Sequence, residues 1–90
     1  MDVKVVKYNN RPFVWWRTNG AGKAQLIGTD GSKYSGTPDP DKLSVMYAIP
    51  CKPFNKSWYF GTKRGIFSAR TGNRIRHPKI IAMFKPGVQL

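Results

Sequence analysis

Short apolar runs, separated by turn-forming and charged residues, recur along the whole chain. They are only a few residues long and rich in Val, Ile, Tyr, Phe and Trp, a composition that favours strands over helices. The strand-like runs are 3–8, 13–16, 23–27, 33–35, 42–49, 57–62, 66–69, 74–77 and 80–84. The pattern predicts an all-β fold, a small antiparallel barrel or sandwich that is SH3-like or OB-like, with long loops and at most one short helix.

Two of these segments need separate interpretation. The Asp30-Gly31 pair favours a hairpin turn, because glycine readily adopts the positive φ that a tight turn requires. Segment 42–49 has apolar residues at alternate positions, which favours a strand. The alternative is a short helix that begins at Asp39 and Pro40, where a capping residue precedes a proline.

The length of 90 residues predicts one small domain, 1–90, with a small core. Hydrophobic residues make up 40% of the chain and aromatic residues 13%, which is enough for a folded core despite nine glycines and seven prolines. The final segment, 85–90, combines Lys, Pro and Gly with few apolar residues, so we expect a frayed tail.

Adjacent aromatic residues must alternate between the two faces of a strand. In the Trp58-Tyr59-Phe60 run we expect Trp58 and Phe60 in the core and Tyr59 at its edge, because a small domain needs their apolar area. Trp15 and Trp16 must likewise point to opposite faces; we expect one of them in the core, and the sequence leaves open whether the other, next to Arg17, is buried or exposed.

The charge of the chain is strongly positive and unevenly distributed. The formal net charge is +12, from 16 Lys and Arg against four acids. All four acids lie in residues 1–41, whereas residues 42–90 contain ten Lys and Arg and no acid. Because such an excess opposes compaction by self-repulsion, it indicates a polyanionic partner. We therefore predict that the second half binds the phosphate backbone of nucleic acid.

Segment 65–77 is the clearest hairpin, with a two-residue turn that contains Gly72. Such a turn pairs residues whose numbers sum to an odd total, which places Phe67 on the same face as Arg74 and Arg76. We expect this face to be exposed, so that the ring contacts bases while the guanidinium groups bind phosphates. In the alternative interpretation, Phe67 belongs to the core and the arginines form a solvated face.

The predicted nucleic-acid-binding surface comes mainly from residues 57–79. Its residues are Tyr59, Lys63, Arg64, Phe67, Arg70, Arg74, Arg76, His77 and Lys79, together with Arg17 from the first half of the chain.

Residues with catalytic or metal-binding chemistry are few. Cys51 and His77 are the only thiol and imidazole, and no acid in the second half is available to orient the histidine as a base. Four-ligand zinc binding needs more Cys and His than the chain contains. The Asp39-Pro40-Asp41 spacing is explained by turn chemistry. We therefore predict no catalytic residue, no metal and no cofactor, and a protein that is not an enzyme.

The remaining expectations concern location and partners. One cysteine fits a reducing compartment, no secretory signal is evident, and no apolar run approaches about 18 residues. We expect a cytoplasmic, nucleoid or virion protein of viral or prokaryotic type, without membrane contact. The alternative function is a small basic structural or protein-interaction subunit of a virion or large assembly, or an inhibitor that docks on an acidic or nucleic-acid-binding partner. Strand edges could also pair two copies, although no residue pattern supports a homodimer.

Overall fold

The computed structural model describes residues 1–84, so the predicted frayed tail, 85–90, lies outside the described residues. Within the described range the chain forms eight strands, one 3-10 turn and one helix. The strands are β1 (Asp2–Tyr8), β2 (Arg11–Thr18), β3 (Ala24–Gly28), β4 (Ser44–Pro50), β5 (Lys52–Phe54), β6 (Ser57–Thr62), β7 (Gly65–Ser68) and β8 (Arg74–Ile75). The 3-10 turn is Pro40–Lys42, and the helix is α1 (Pro78–Met83).

The strands make two four-stranded antiparallel sheets. The first has the order β3-β2-β1-β4 and the second the order β5-β6-β7-β8. The all-β prediction is therefore confirmed. Because the two sheets pack together without closing into a barrel, the architecture is that of a small sandwich.

Two-residue turns close the first hairpin of each sheet. Asn9 (φ 51) and Asn10 (φ 61) join β1 to β2, and Asn55 (φ 48) and Lys56 (φ 67) join β5 to β6. Left-handed backbone at both central positions gives the turn the twist that matches its flanking strands. Asparagine accepts this conformation more readily than most residues, which explains the choice of residue at three of the four positions.

The predicted turn before Lys33 is confirmed. The amide of Gly28 donates to the carbonyl of Ser32 at 2.7 Å, and Gly31 adopts a φ of 89°. The returning chain pairs with β3 only through a bridge between Ile27 and Lys33. The predicted short strand after the turn is therefore wrong, and this segment begins a long loop that leads to β4.

The strand interpretation of segment 42–49 is confirmed by β4, and only the 3-10 turn precedes it. The Asp39 side chain does not cap that turn and instead forms an ion pair with Lys23. Close by, the amide of Ala24 donates to the carbonyl of Pro38 at 2.9 Å. These two contacts fasten the long loop to the start of β3.

Three apolar clusters hold the fold together. The central cluster lies between the sheets and consists of Val3, Val5, Val14, Ile27, Ile49, Cys51, Phe60, Phe67 and Ala69. The second covers the outer face of the first sheet and consists of Val6, Phe13, Ala24 and Leu26, with Tyr34 and Leu43 of the long loop packed against them. The third joins Ile66 to Ile80 and Phe84, which places α1 over the outer face of the second sheet.

The adjacent aromatic residues follow the predicted alternation. Phe60 is fully buried in the central cluster and Trp58 packs against it. Tyr59 packs on the other face, against the third cluster beneath α1. Trp16 contacts the central cluster, and Trp15 contacts the cluster on the outer face. Both faces of each sheet are therefore covered along part of their length.

The last predicted strand is wrong, because this segment forms α1. Pro78 occupies the first turn, and His77 precedes it with extended backbone while its Nδ1 accepts the amide of Lys79 at 3.2 Å. Proline and a capping side chain are both typical of a helix start. Ile80 and Phe84, four residues apart, face the second sheet together. None of the helices in residues 1–84 has the length and apolar character needed to cross a bilayer.

Candidate nucleic-acid interface

Lys33 occupies the centre of a positively charged, concave side of the molecule. It lines three neighbouring depressions. Its bridge to Ile27 fixes its backbone at the end of the hairpin turn. Four arginines line two of the same depressions, and we use the name Lys33 surface for Arg17, Lys33, Arg64, Arg70 and Arg74.

One of the depressions, of about 470 Å³, combines aromatic and cationic side chains, and we call it the tryptophan groove. Half-buried Trp16 and Tyr34 contribute its aromatic groups. Its other lining residues are Arg17, Gln25, Leu26, Lys33, Ser35, Gly36, Thr37, Arg70 and Thr71. The lining contains no carboxylate, so no negative charge within the groove opposes the binding of an anion.

A bulge in β2 explains how two consecutive residues reach the same groove. The register passes from the Trp15–Leu26 pair to the Arg17–Gln25 pair, which leaves Trp16 as the extra residue. In a regular strand Trp16 and Arg17 would point to opposite faces, whereas a bulge redirects a side chain. Both residues consequently line the groove.

The turn 69–72 of the second sheet closes the groove against β2. The indole of Trp16 lies so close to Gly72 (φ 72) that a Cβ at this glycine would come within 2.6 Å of the ring. Arg17 Nη1 donates to the carbonyl of Arg70 at 3.4 Å. The Ser68 hydroxyl accepts the amide of Arg70 at 3.1 Å and shapes the turn. The groove therefore lies at the junction of the two sheets.

A second depression, of about 170 Å³, lies on the other side of Lys33 and is lined by Arg64 and Arg74. Asp30 is the only acid in its lining. Hydrogen bonds from the Ser32 hydroxyl and amide lower the pKa of Asp30, and the nearby Arg64 charge adds to this effect. The carboxylate is thus ionised and already engaged by the hairpin turn.

The hairpin of β7 and β8 keeps the predicted parity of its pairs, whereas the predicted two-residue turn and the predicted exposure of Phe67 are wrong. Phe67 lies opposite Arg74, so the residue numbers of facing pairs still sum to an odd total. The connection has four residues and is closed by the Ser68 amide, which donates to the carbonyl of Asn73 at 3.0 Å. Phe67 is only 3% exposed, so the prediction of an exposed ring is wrong. The reason is that α1 covers the Ile66 face of β7 while the first sheet covers the Phe67 face.

The other predicted site residues separate into three groups. Arg17, Arg64, Arg70 and Arg74 belong to the Lys33 surface. Three residues lie on the α1 side of the second sheet. Tyr59 packs in the third apolar cluster, the ring of His77 lies 5.8 Å from that of Phe54, and Lys79 belongs to α1. Lys63 and Arg76 are exposed and line neither depression of the Lys33 surface.

Sequence reasoning missed Lys33, Tyr34 and Gln25. The charge distribution directed attention to residues 42–90, whereas these three residues come from the half that contains the acids. One local signal was present, since Lys33 and Tyr34 place a cation and an aromatic ring directly after a glycine-containing turn.

No three His, Cys, Asp or Glu side chains among residues 1–84 are grouped as metal ligands. Cys51 is buried in the central cluster, and burial raises the pKa of its thiol. Comparisons of the chain with protein families, with curated proteins and with solved structures give no match.

Proposed function

We propose that this protein is a non-enzymatic nucleic-acid-binding protein that contacts phosphate groups through the Lys33 surface. The observation that carries the proposal is the convergence of cations from distant parts of the chain. Arg17 of β2 and Lys33 of the long loop meet Arg70, in the turn of the second sheet, around the tryptophan groove. The lining of this groove contains no carboxylate.

The chemistry of these side chains suits a polyanion. A guanidinium group presents several donors in a planar fork that matches two phosphate oxygens, and its charge persists at every physiological pH. Aromatic rings in a basic groove supply stacking surfaces for bases. The net charge of +12 adds long-range attraction that speeds the encounter with a polyanion.

Salt dependence and charge reversal together test the proposal. We expect a labelled oligonucleotide to bind more weakly at about 200 mM than at about 50 mM salt, because phosphate neutralisation releases counterions. Replacing Arg70→Glu and Arg74→Glu together should lower the slope of log K against log salt by about 1.4 to 1.8, since each phosphate contact contributes roughly 0.7 on a single strand and 0.9 on duplex DNA. Fluorescence anisotropy measures both quantities.

The matched control is the double change Arg76→Glu with Lys79→Glu. It makes the same change in net charge within the same half of the chain, but neither residue lines the two depressions. We expect this variant to retain most of the salt slope. Equal losses in the two double variants would contradict the assignment to the Lys33 surface, and salt-independent binding by the wild-type protein would contradict the function.

A second candidate function is a structural or protein-interaction subunit that docks on an acidic protein partner. The observation that favours it is the exposure of β4, an edge strand in which Val45 is 56%, Met46 49% and Tyr47 43% exposed. Adjacent exposed apolar residues on a sheet edge often mark protein contacts. Failure of oligonucleotides to bind at low salt would favour this candidate over the first.

A further inference from the structure

We infer that the nucleic acid is single-stranded and that one unstacked base enters the tryptophan groove. This inference rests on the proposed function and assigns the class of ligand at the same site. Three observations support it: the position of the aromatic rings, the shape of the groove and a half-buried polar group in its lining.

The two aromatic rings of the groove are held in fixed positions. Trp16 packs between the central cluster and Gly72. Tyr34 lies 4.9 Å from Phe13 and 6.2 Å from Tyr8, as measured between ring centroids. Rings that are held before binding lose little conformational freedom when a base stacks on them. The groove is therefore already arranged for an aromatic ligand.

The recessed position of these rings favours an unpaired base. Trp16 and Tyr34 are half-buried in the lining of a depression of about 470 Å³, a size within the range of roughly 300–1,000 Å³ typical of small-molecule sites. Bases in a duplex are stacked on one another, so a recessed ring cannot reach their faces, whereas a base in a single strand can leave its neighbours and enter.

No helix among residues 1–84 is placed to enter a duplex groove from the Lys33 surface. Readers of the major groove insert a helix or a two-stranded ribbon. The only helix in residues 1–84 is the six-residue α1, and its Ile80 is buried against the second sheet on the face that the Lys33 surface does not share. The Lys33 surface is concave, which suits a strand that follows the groove.

Gln25 is the group suited to contact the edge of the base. It is half-buried, lines the groove and lies opposite Arg17 across the bulge. A glutamine amide both donates and accepts, as the hydrogen-bonding edges of bases do. In the described part of the chain its side chain makes no hydrogen bond to another residue, so its amide is available to a ligand.

Binding to strands of different type tests the inference. The probes are a labelled DNA strand of about 12 nucleotides, the RNA strand of the same sequence, and the corresponding DNA duplex. We expect one or both single strands to bind more tightly than the duplex and to quench tryptophan fluorescence. Trp16→Leu should weaken single-strand binding by roughly 5- to 150-fold, equivalent to about 1 to 3 kcal/mol of base stacking, and should remove most of the quenching.

The matched control is Trp15→Leu, which removes the neighbouring indole on the other face of β2 and does not alter the groove. It should leave single-strand affinity within about twofold of wild type. Gln25→Ala is a second test that does not remove core volume, and we expect a loss of roughly 2- to 13-fold, the net value of one hydrogen bond. This second test applies even if Trp16→Leu unfolds the protein.

Two failures can be distinguished. The single-strand inference is wrong if the duplex binds as tightly as either strand and neither Trp16→Leu nor Gln25→Ala changes affinity or quenching. The proposed function still stands in that case, provided that binding depends on salt. If no oligonucleotide binds at low salt, the proposed function itself is wrong.

Discussion

Phe67→Ala decides between the two interpretations of the β7–β8 hairpin. The side chain is 3% exposed, and its ring stacks on that of Phe60 at a centroid distance of 5.9 Å. At its other end, the ring lies beneath the turn at Gly31, where an added Cβ would come within 2.8 Å of Cζ. Truncation would therefore leave a cavity that extends from the central cluster towards the Lys33 surface.

The expected cost of this truncation is large for so small a protein. Phe→Ala substitutions in cores destabilise by about 3 to 5 kcal/mol, through lost burial and the cavity left behind. A domain of 90 residues has a total stability of roughly 5 to 13 kcal/mol at typical values per residue. Each kcal/mol lowers the melting temperature of such a domain by about 4 to 8 °C, so the loss should be at least about 12 °C.

Thermal and urea unfolding, followed by circular dichroism, measure this loss. The control is Arg74→Ala, because Arg74 lies directly opposite Phe67 but is exposed, and its removal should change stability by less than about 0.5 kcal/mol. If Phe67→Ala unfolds at the wild-type temperature and instead weakens oligonucleotide binding, the ring is accessible and the packing described above is wrong.

Two further predictions concern the turn and the loop that border the tryptophan groove. Gly72→Ala should lower the free energy of unfolding by more than about 1 kcal/mol, because φ is 72° and the new Cβ would contact Trp16. The control Gly20→Ala, with no atom within 4 Å of its Cβ, should be close to neutral. Urea unfolding measures both changes. Lys23 lowers the pKa of Asp39 below its ordinary value of 3.8, so their ion pair stabilises the fold above about pH 4 and is lost as the pH falls through the lowered pKa. The difference in melting temperature between wild type and Asp39→Asn should accordingly shrink below pH 4, and parallel profiles would contradict this.

The strands were predictable because their signal is local. Alternation of apolar residues and the turn chemistry of Asn, Asp and Gly operate over two to eight residues, and both are visible in the sequence. The placement of Phe67 and Arg74 on one face of the hairpin was predictable for the same reason, since it depends only on whether the connecting loop has an even number of residues.

Burial was less predictable, because it depends on what covers each face of a strand. The prediction left the Phe67 face of β7 exposed, but the first sheet covers that face while α1 covers the Ile66 face. The helix was missed because its apolar residues form a nearly continuous run, which does not distinguish strand periodicity from helix periodicity. His77 and Pro78 together were the available start signal.

The tryptophan groove could not be predicted from local patterns, because it requires two sheets and a bulge. Trp16 and Arg17 share the groove only after the register of β2 shifts, and Arg70 reaches it only from the opposite sheet. Net charge predicts a polyanionic partner, yet it assigned the contact to one half of the chain. Lys33 belongs to the other half, and packing brings it together with arginines that the sequence separates from it.

The position of this groove also links binding to stability. Sheet packing brings Arg17, Lys33 and Arg70 together in the lining of the tryptophan groove, which contains no carboxylate. The mutual repulsion of these three cations opposes the approach of the two sheets. The central cluster, with the Phe60–Phe67 stack, must supply the free energy that overcomes this repulsion. A bound phosphate chain would relieve this repulsion. Because the phosphate chain binds the folded state, the sandwich would gain stability in proportion to the logarithm of the ligand concentration over Kd. Binding and sheet packing are therefore expected to be coupled through the same side chains.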